Sequence, residues 1–392
     1  MPGGPNAGVL EGVNVALGVA GSIAAVKTVE LAHELRRQGA AVRGVMTPAA
    51  EGIIHPWALE FATENDVITE ITGRVEHVEL CGREGWADVL LVAPATANTV
   101  GKMAAAVDDT PVTTCATTAF GAGLPVVVVP AMHEPMYDHP GVLDALDRLA
   151  EWDVDFVDPR VEEGKAKIAA EEAVVTEVAR ATAADTLAGE TVVVTSGATT
   201  ESVDPIRTLS NRASGKTGRA VARACYARGA DIVVVHDGPD VPWAETEQVE
   251  SAAEMLAAVE NHTPSADALV SAAAISDYTV DTAGEKLRSG RELTLELEPT
   301  PKLIDTVRER NPGLPIVGFK TETDSDDETV VQRARETMER ASLAFVVGND
   351  ASVMGEERTR ALLVDTDGVE PVEGSKADLG ARVADRLAGV LG

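Results

Sequence analysis

Val13-Asn14-Val15-Ala16-Leu17-Gly18-Val19 runs without a break into Ala20-Gly21-Ser22-Ile23-Ala24-Ala25, and that join decides the fold. The first stretch is apolar almost throughout, as a strand buried on both faces must be. A helical pattern follows from about Ile23 to Gln38 and stops at Gly39, a residue suited to a helix C-terminus. Strand, glycine turn and helix together open a βαβ unit, so the next apolar runs are expected to lie parallel to the first. Those runs are AVRGVM (41–46), DVLLVA (88–93) and PVVVVP (125–130).

A second series begins after the helical segment EEAVVTEVARATAADTLAGE (171–190). Its strands read TVVVT (191–195), DIVVVH (231–236), DALVSAA (267–273), PIVGF (315–319) and LAFVVGN (343–349). The closing ADLGARVADRLAGVL (377–391) is amphipathic and is expected to pack on the second sheet. The expectation is an α/β chain of two doubly wound, Rossmann-like domains with mainly parallel sheets. They would span 1–183 and 191–392, joined by a linker at 184–190.

Composition narrows the function. At 392 residues the chain exceeds what one core usually serves. No apolar stretch approaches the roughly 18 residues of a membrane span, and the start lacks the basic flank of a secretory signal. Cys81, Cys115 and Cys225 are too few and too scattered for a disulfide framework or a zinc site, which points to the cytoplasm. Acidic residues number 64 against 33 basic ones, a formal charge of −31. Phosphate repulsion therefore argues against nucleic acid as a partner. The acids are spread through patterned segments and suit a halophilic protein, since about 1 M salt shortens repulsion to about 3 Å. Poor folding in molar KCl would count against that reading. Lysine is scarce, and seven of the nine, Lys102 through Lys320, fall in or beside the loop motifs below. A chain that avoids lysine keeps it where an ammonium meets an anion.

The first set of motifs sits where strands end. Gly21 and Ser22 follow the first strand, Thr47-Pro48 the second, and Ala93-Pro94-Ala95-Thr96-Ala97-Asn98-Thr99 the third. Pro130-Ala131-Met132-His133-Glu134-Pro135-Met136 follows the fourth, and Glu76-His77-Val78-Glu79-Leu80 stands alone. Open sheets bind ligands at carboxyl ends of strands, and glycine lets a phosphate approach a helix start. The pattern is not G-x-G-x-x-G, which argues against a nicotinamide dinucleotide.

Residues 12–175 resemble the flavin-containing cysteine decarboxylases, specifically phosphopantothenoylcysteine decarboxylase, through GSIAA, APATANT and PAMxxxM. The resemblance implies a flavodoxin-like flavoprotein domain in which Gly21, Ser22, Thr47, Thr96 and Asn98 hold FMN. It makes His77 the catalytic base. In the family the flavin oxidises the cysteinyl thiol, the thioaldehyde loses CO2, and the reduced flavin returns the hydride. Two departures stand out. His133 occupies a position that is asparagine in bacterial members, where it contacts the substrate carboxylate; imidazole can still donate there. The substrate clamp, Val161 to Ile168, lacks the bacterial cysteine. Lys165 or a water would then serve as proton donor; Cys81 and Cys115 read better as core residues.

The second set begins with Thr195 to Arg207 and continues through Ser210-Asn211-Arg212-Ala213-Ser214-Gly215-Lys216-Thr217-Gly218. Gly-Lys-Thr is not a P-loop here, because the first glycine of that motif would fall on Ser210 and the strand ended near Thr195. Further on stand Ser271-Ala272-Ala273, Asp277, Glu285-Lys286, Thr300-Pro301-Lys302, Phe319-Lys320 and Gly348-Asn349-Asp350. Residues 190–391 resemble the phosphopantothenate–cysteine ligase domain, so nearly the whole chain resembles the fused bifunctional enzymes of coenzyme A biosynthesis. The resemblance implies that CTP activates 4′-phosphopantothenate as an acyl-cytidylate, which cysteine then attacks. Lys286 would neutralise the triphosphate, Asn211 hold the acyl intermediate, and Asp277 bind nucleotide or Mg2+. Ser271, Ala272, Ala273 and Phe319 would contact cytosine, with Thr300, Pro301 and Lys302 near the phosphates. Arginines, including Arg340, stand where members often carry two lysines. The phosphopantothenoylcysteine made by the second domain would be the first domain's substrate. The family forms homo-oligomers from trimers to dodecamers. A decarboxylase of another thiol substrate and a non-catalytic regulatory flavoprotein remain alternatives, which CTP-dependent pyrophosphate release with phosphopantothenate would separate from the bifunctional enzyme.

Overall fold

The computed structural model describes residues 8–158, 160–162, 165–288, 290, 292–322, 326–350 and 358–392. It divides into two compact units that meet at Ala183–Ala184.

The first unit is built on β1 (Asn14–Val19), β2 (Ala41–Met46), β3 (Val89–Ala95), β4 (Val126–Pro130), β5 (Met132–His133) and β6 (Val154–Phe156). Strands β7 (Arg160–Glu162) and β8 (Lys165–Lys167) form a hairpin that pairs with β5. The main sheet runs β2-β1-β3-β4-β6, all parallel. That is the flavodoxin-like order, whose crevice opens where strand order reverses, between β1 and β3. The four valines of β4 are at most 2% exposed, and each contributes about 1.5–3 kcal/mol of burial. The expected helix at 23–38 divides: Ile23–Lys27 is a 3-10 turn and Thr28–Arg37 the α-helix. Gly39 carries φ +97, the left-handed backbone its position requires.

The second unit adds β9 (Thr191–Thr195), β10 (Thr200–Ser202), β11 (Thr208–Ser210), β12 (Asp231–His236), β13 (Glu245–Gln248) and β14 (Ala268–Ser271). It continues with β15 (Tyr278–Val280), β16 (Leu297–Pro299), β17 (Ile316–Glu322), β18 (Phe345–Asp350), β19 (Arg358–Val364) and β20 (Val369–Ser375). Its sheet has the order β13-β12-β9-β14-β17-β18-β19-β20. Apolar clusters cover both faces, one built on Val192, Val194 and Val234, the other on Val193, Val233 and Val235, which makes the sheet doubly wound. The helix Lys376–Leu391 packs on the first of these faces, against the helix Lys216–Ala227. Leu187, in the expected linker, is fully buried in that same cluster.

Strands β19 and β20 are antiparallel and add an edge that the apolar runs do not announce. Half of β20 faces solvent, so its signal is alternation rather than a run. The connecting Asp365-Thr366-Asp367-Gly368 does carry a hairpin signature, with Asp365 Oδ1 accepting from Asp367 and Gly368 N–H at 2.8 Å each.

Candidate functional site

In the first domain the register brings the motif loops into line. Val19 pairs with Met46, Gly18 with Val92, and Ala95 with Pro130, so β1, β2, β3 and β4 end side by side. Three hydroxyls sit at the helix starts just beyond. Ser22 Oγ accepts from Ala24 N–H and donates to the Ala131 carbonyl, both at 3.3 Å, tying the loop after β1 to the loop after β4. Thr47 and Thr96 cap their helices, accepting from Ala50 and Thr99 N–H at 3.2 Å each. Asn98 is exposed in the first turn beyond Thr96. At Gly21 an added Cβ would fall 2.4 Å from Ala49 Cβ, so only glycine lets these two turns approach.

His77 lies on the helix Glu76–Cys81, whose Leu80 and Cys81 are buried in the core. Its Nδ1 is buried and lacks a hydrogen-bond partner, a state that costs free energy unless a ligand or proton transfer uses it. His133 is exposed, and its strand β5 pairs with the clamp hairpin. Within that clamp, Glu163 and Gly164 lie outside the described residues, and of Lys165 only the backbone is described. Cys81 and Cys115 are fully buried. Hydrogen bonding to Cys115 and burial push the Cys81 thiol far up, so it is not poised as a proton donor.

In the second domain the loops gather around a cleft of about 580 Å3, within the range of small-molecule sites. Asn211, Ser271, Ala272, Ala273, Asp277, Thr300, Pro301, Lys302, Phe319 and Arg340, each singled out above, all line it. Asn211 Nδ2 donates to the Ala274 carbonyl at 2.9 Å, spanning the loops after β11 and β14. Arg340 grips Asp305 at 2.5 and 2.6 Å, and Lys302 pairs with Asp277. Among the lining residues Arg212, Lys216, Lys302, Lys320, Arg340 and Lys376 outnumber the carboxylates of Asp277 and Asp305. A cationic cleft in a chain of charge −31 is built for a polyanion.

Lys286 falls outside this cleft. It is exposed on the strap between Asp277 and Thr300, and Leu287 beside it is tied to Asp204 and Arg207. Lys376 and Thr359, which no motif includes, do line the cleft. They reach it on β19, next to the edge strand, and just after β20, the elements with the weakest sequence signal. Lys376 was one of the two lysines outside the motifs. As for a metal, the described residues hold no group of three or more His, Cys, Asp or Glu that could cage one. A single carboxylate such as Asp277 suits a Mg2+ carried in on phosphates. No helix among the described residues is long and apolar enough to cross a membrane.

The Flavoprotein family matches residues 5–183, and the DNA/pantothenate metabolism flavoprotein C-terminal domain family matches residues 187–390. The chain is 46% identical over 389 residues to the coenzyme A biosynthesis bifunctional protein CoaBC of Thermococcus kodakarensis, covering 97% of this chain and 96% of that one. It is 34% identical to the CoaBC of Methanocaldococcus jannaschii, covering 98% and 95%. A solved structure of the FMN-dependent cysteine decarboxylase SpaF is 30% identical, covering 44% of this chain and 99% of that one, with a TM-score of 0.40. A flavoprotein domain, a second domain with a cleft rich in cations, and this identity across both lead to one conclusion: the chain belongs to the CoaBC family of bifunctional enzymes of coenzyme A biosynthesis.

Proposed function

We propose that the second domain joins cysteine to 4′-phosphopantothenate with CTP, through an acyl-cytidylate, and that the first domain decarboxylates the resulting phosphopantothenoylcysteine to phosphopantetheine with FMN. The observation that carries this reading is the cleft in which Asn211, Phe319, Lys302 and Arg340 converge with an excess of cations. A carboxylate is a poor electrophile, and activation needs cations around the developing phosphate charge. Lys302 and Arg340 supply it, with Lys286 reaching in from the strap. Asn211 orients the acyl group, and Phe319 offers a face for the base. Asp277 would be the protein ligand of a Mg2+ carried by the triphosphate, with its present partner Lys302 turned to the phosphates.

In the first domain FMN, when bound, supplies the two-electron chemistry of the cysteinyl thiol. Gly21, Ser22, Thr47, Thr96 and Asn98 would hold it, and the close approach at Gly21 together with the helix caps fits a phosphate. His77 takes the thiol proton, for which its unpartnered Nδ1 and partly exposed ring are suited. His133 donates to the substrate carboxylate beside the clamp. Exposed Trp57 and Phe61 support assembly into a homo-oligomer, and the three free cysteines suit the cytoplasm. A coupled assay supplying phosphopantothenate, cysteine and CTP tests the whole scheme. Pyrophosphate should appear only with phosphopantothenate present and turn over repeatedly only with cysteine, and CO2 should require cysteine; pyrophosphate that is independent of phosphopantothenate would overturn it.

A further inference from the structure

The segment Glu201–Arg207 is zipped to the strap at 279–287. Thr279 Oγ1 donates to Glu201 Oε2 at 2.8 Å, Thr282 Oγ1 to the Ser202 carbonyl at 2.7 Å, and Ala283 N–H to the Val203 carbonyl at 3.0 Å. Glu201 Oε1 is anchored in turn by Ala252 N–H at 2.9 Å. The last and most buried tooth is Asp204, 1% exposed in a chain whose acids are almost all at the surface. Its Oδ1 accepts from Ile206 and Arg207 N–H at 2.8 and 2.9 Å. Its Oδ2 accepts from Leu287 N–H at 3.0 Å and pairs with the Arg207 guanidinium, which also donates to the Leu287 carbonyl at 3.1 Å.

Leu287 is therefore held at both its N–H and its carbonyl, in a loop that otherwise faces solvent. A buried carboxylate is costly unless every lone pair is used. An amide in its place would turn an NH2 toward either the Leu287 N–H or the backbone donors of the turn. The site thus requires an acceptor-only group, and what that group fixes is the backbone immediately beside Lys286.

We propose that Asp204 is a positioning residue for Lys286: it sets the point from which that ammonium reaches the nucleotide phosphates during ligation. This rests on the role given to Lys286 above. A mobile strap would spread a flexible four-carbon side chain over many positions; a pinned one holds it near a single place.

The test is a double-mutant cycle on the full chain with phosphopantothenate, CTP and cysteine, reading pyrophosphate release. Lys286→Gln and Asp204→Asn should each lower kcat for ligation about ten- to hundredfold, with KM for CTP changed less than threefold. Decarboxylation of supplied phosphopantothenoylcysteine should be unchanged. The double variant should be no slower than Lys286→Gln within twofold, because the removed carboxylate acts only through that lysine. An equal loss from Asp204→Asn in both backgrounds would overturn the proposal. Full activity of Lys286→Gln would instead overturn the role of Lys286, and this inference with it. If Asp204→Asn does not fold, Thr282→Val gives the second reading. It releases one tooth of the strap and should slow ligation about three- to tenfold in the wild type and not at all in Lys286→Gln.

Discussion

His133 and Lys165 face each other as register partners in the antiparallel pair of β5 and β8. The residue that follows the PAM motif is thereby joined, through backbone pairing, to the hairpin read as the substrate clamp. Strand pairing makes the two move as a unit, so a substrate carboxylate at His133 would also lie beneath the clamp. His133→Ala should lower kcat/KM for decarboxylation about ten- to hundredfold, a loss of about 1.4–2.8 kcal/mol of transition-state binding. Flavin content should stay unchanged, because the His133 side chain caps nothing. Steady-state kinetics and flavin absorbance on the same preparation check both halves.

Gly21 and Gly101 make a paired prediction. An added Cβ at Gly21 would sit 2.4 Å from Ala49 Cβ and 2.9 Å from its carbonyl carbon, whereas at Gly101 nothing lies within 4 Å. Gly21→Ala must push the Thr47–Ala50 turn away and should destabilise the first domain by about 1–3 kcal/mol, with loss of bound flavin. Gly101→Ala, inside the helix Ala97–Ala104, should be neutral or stabilise it by up to about 1 kcal/mol. Thermal melts of the two variants, with flavin release followed in parallel, decide it.

Arg340 and Asp305 hold a two-pronged ion pair at the cleft with both side chains partly exposed. Such a pair contributes at most about 1 kcal/mol to stability, so its value lies in aiming the guanidinium. Arg340→Ala should raise KM for CTP about tenfold while leaving the melting temperature nearly unchanged. Arg340→Lys should recover only part of this: one guanidinium nitrogen reaches both Asp305 oxygens, and an ammonium that did the same would lack the other guanidinium donors for the phosphates. A large drop in stability with unaltered KM would contradict the assignment.

Asp204 makes the second domain acid-sensitive in a defined window. Burial pushes its carboxyl up, but the N–H groups of Ile206, Leu287 and Arg207 and the Arg207 guanidinium outweigh this and hold it at about 2. A carboxyl depressed in the folded state stabilises fully above its ordinary range near 4 and loses that contribution as pH falls toward 2. Urea unfolding of the wild type should therefore show a stability loss between about pH 4 and pH 2. Asp204→Asn should be less stable at neutral pH and should lack that component of the decline.

Much of this molecule can be read along the chain. The valine-rich runs could only be strands buried on both faces, and the loops that end them had to gather at one edge, as they do at Ser22, Thr47, Thr96 and His133. Most of the ten cleft residues of the second domain were visible as motifs because they stand at or just beyond a strand end; Phe319 lies within β17, and Arg340, in the last turn of the helix Asp327–Ala341, was marked only by the family resemblance. The lysine pattern was a partial guide: it flagged Lys302 and Lys320 but passed over Lys376, whose helix start reaches the cleft only through the edge hairpin.

What the sequence determined by itself was set by local periodicity: two mainly parallel sheets, their carboxyl-end loops, and the cations kept in an otherwise acidic chain. What only the tertiary structure decided depends on pairs far apart in the chain. The four bonds at Asp204 link residues up to 83 positions apart. They leave no mark in periodicity, because a buried aspartate in a polar turn reads like any exposed one until its donors are in place. The same holds for Lys286, whose motif says nothing of the tie at Leu287 that fixes the backbone beside it.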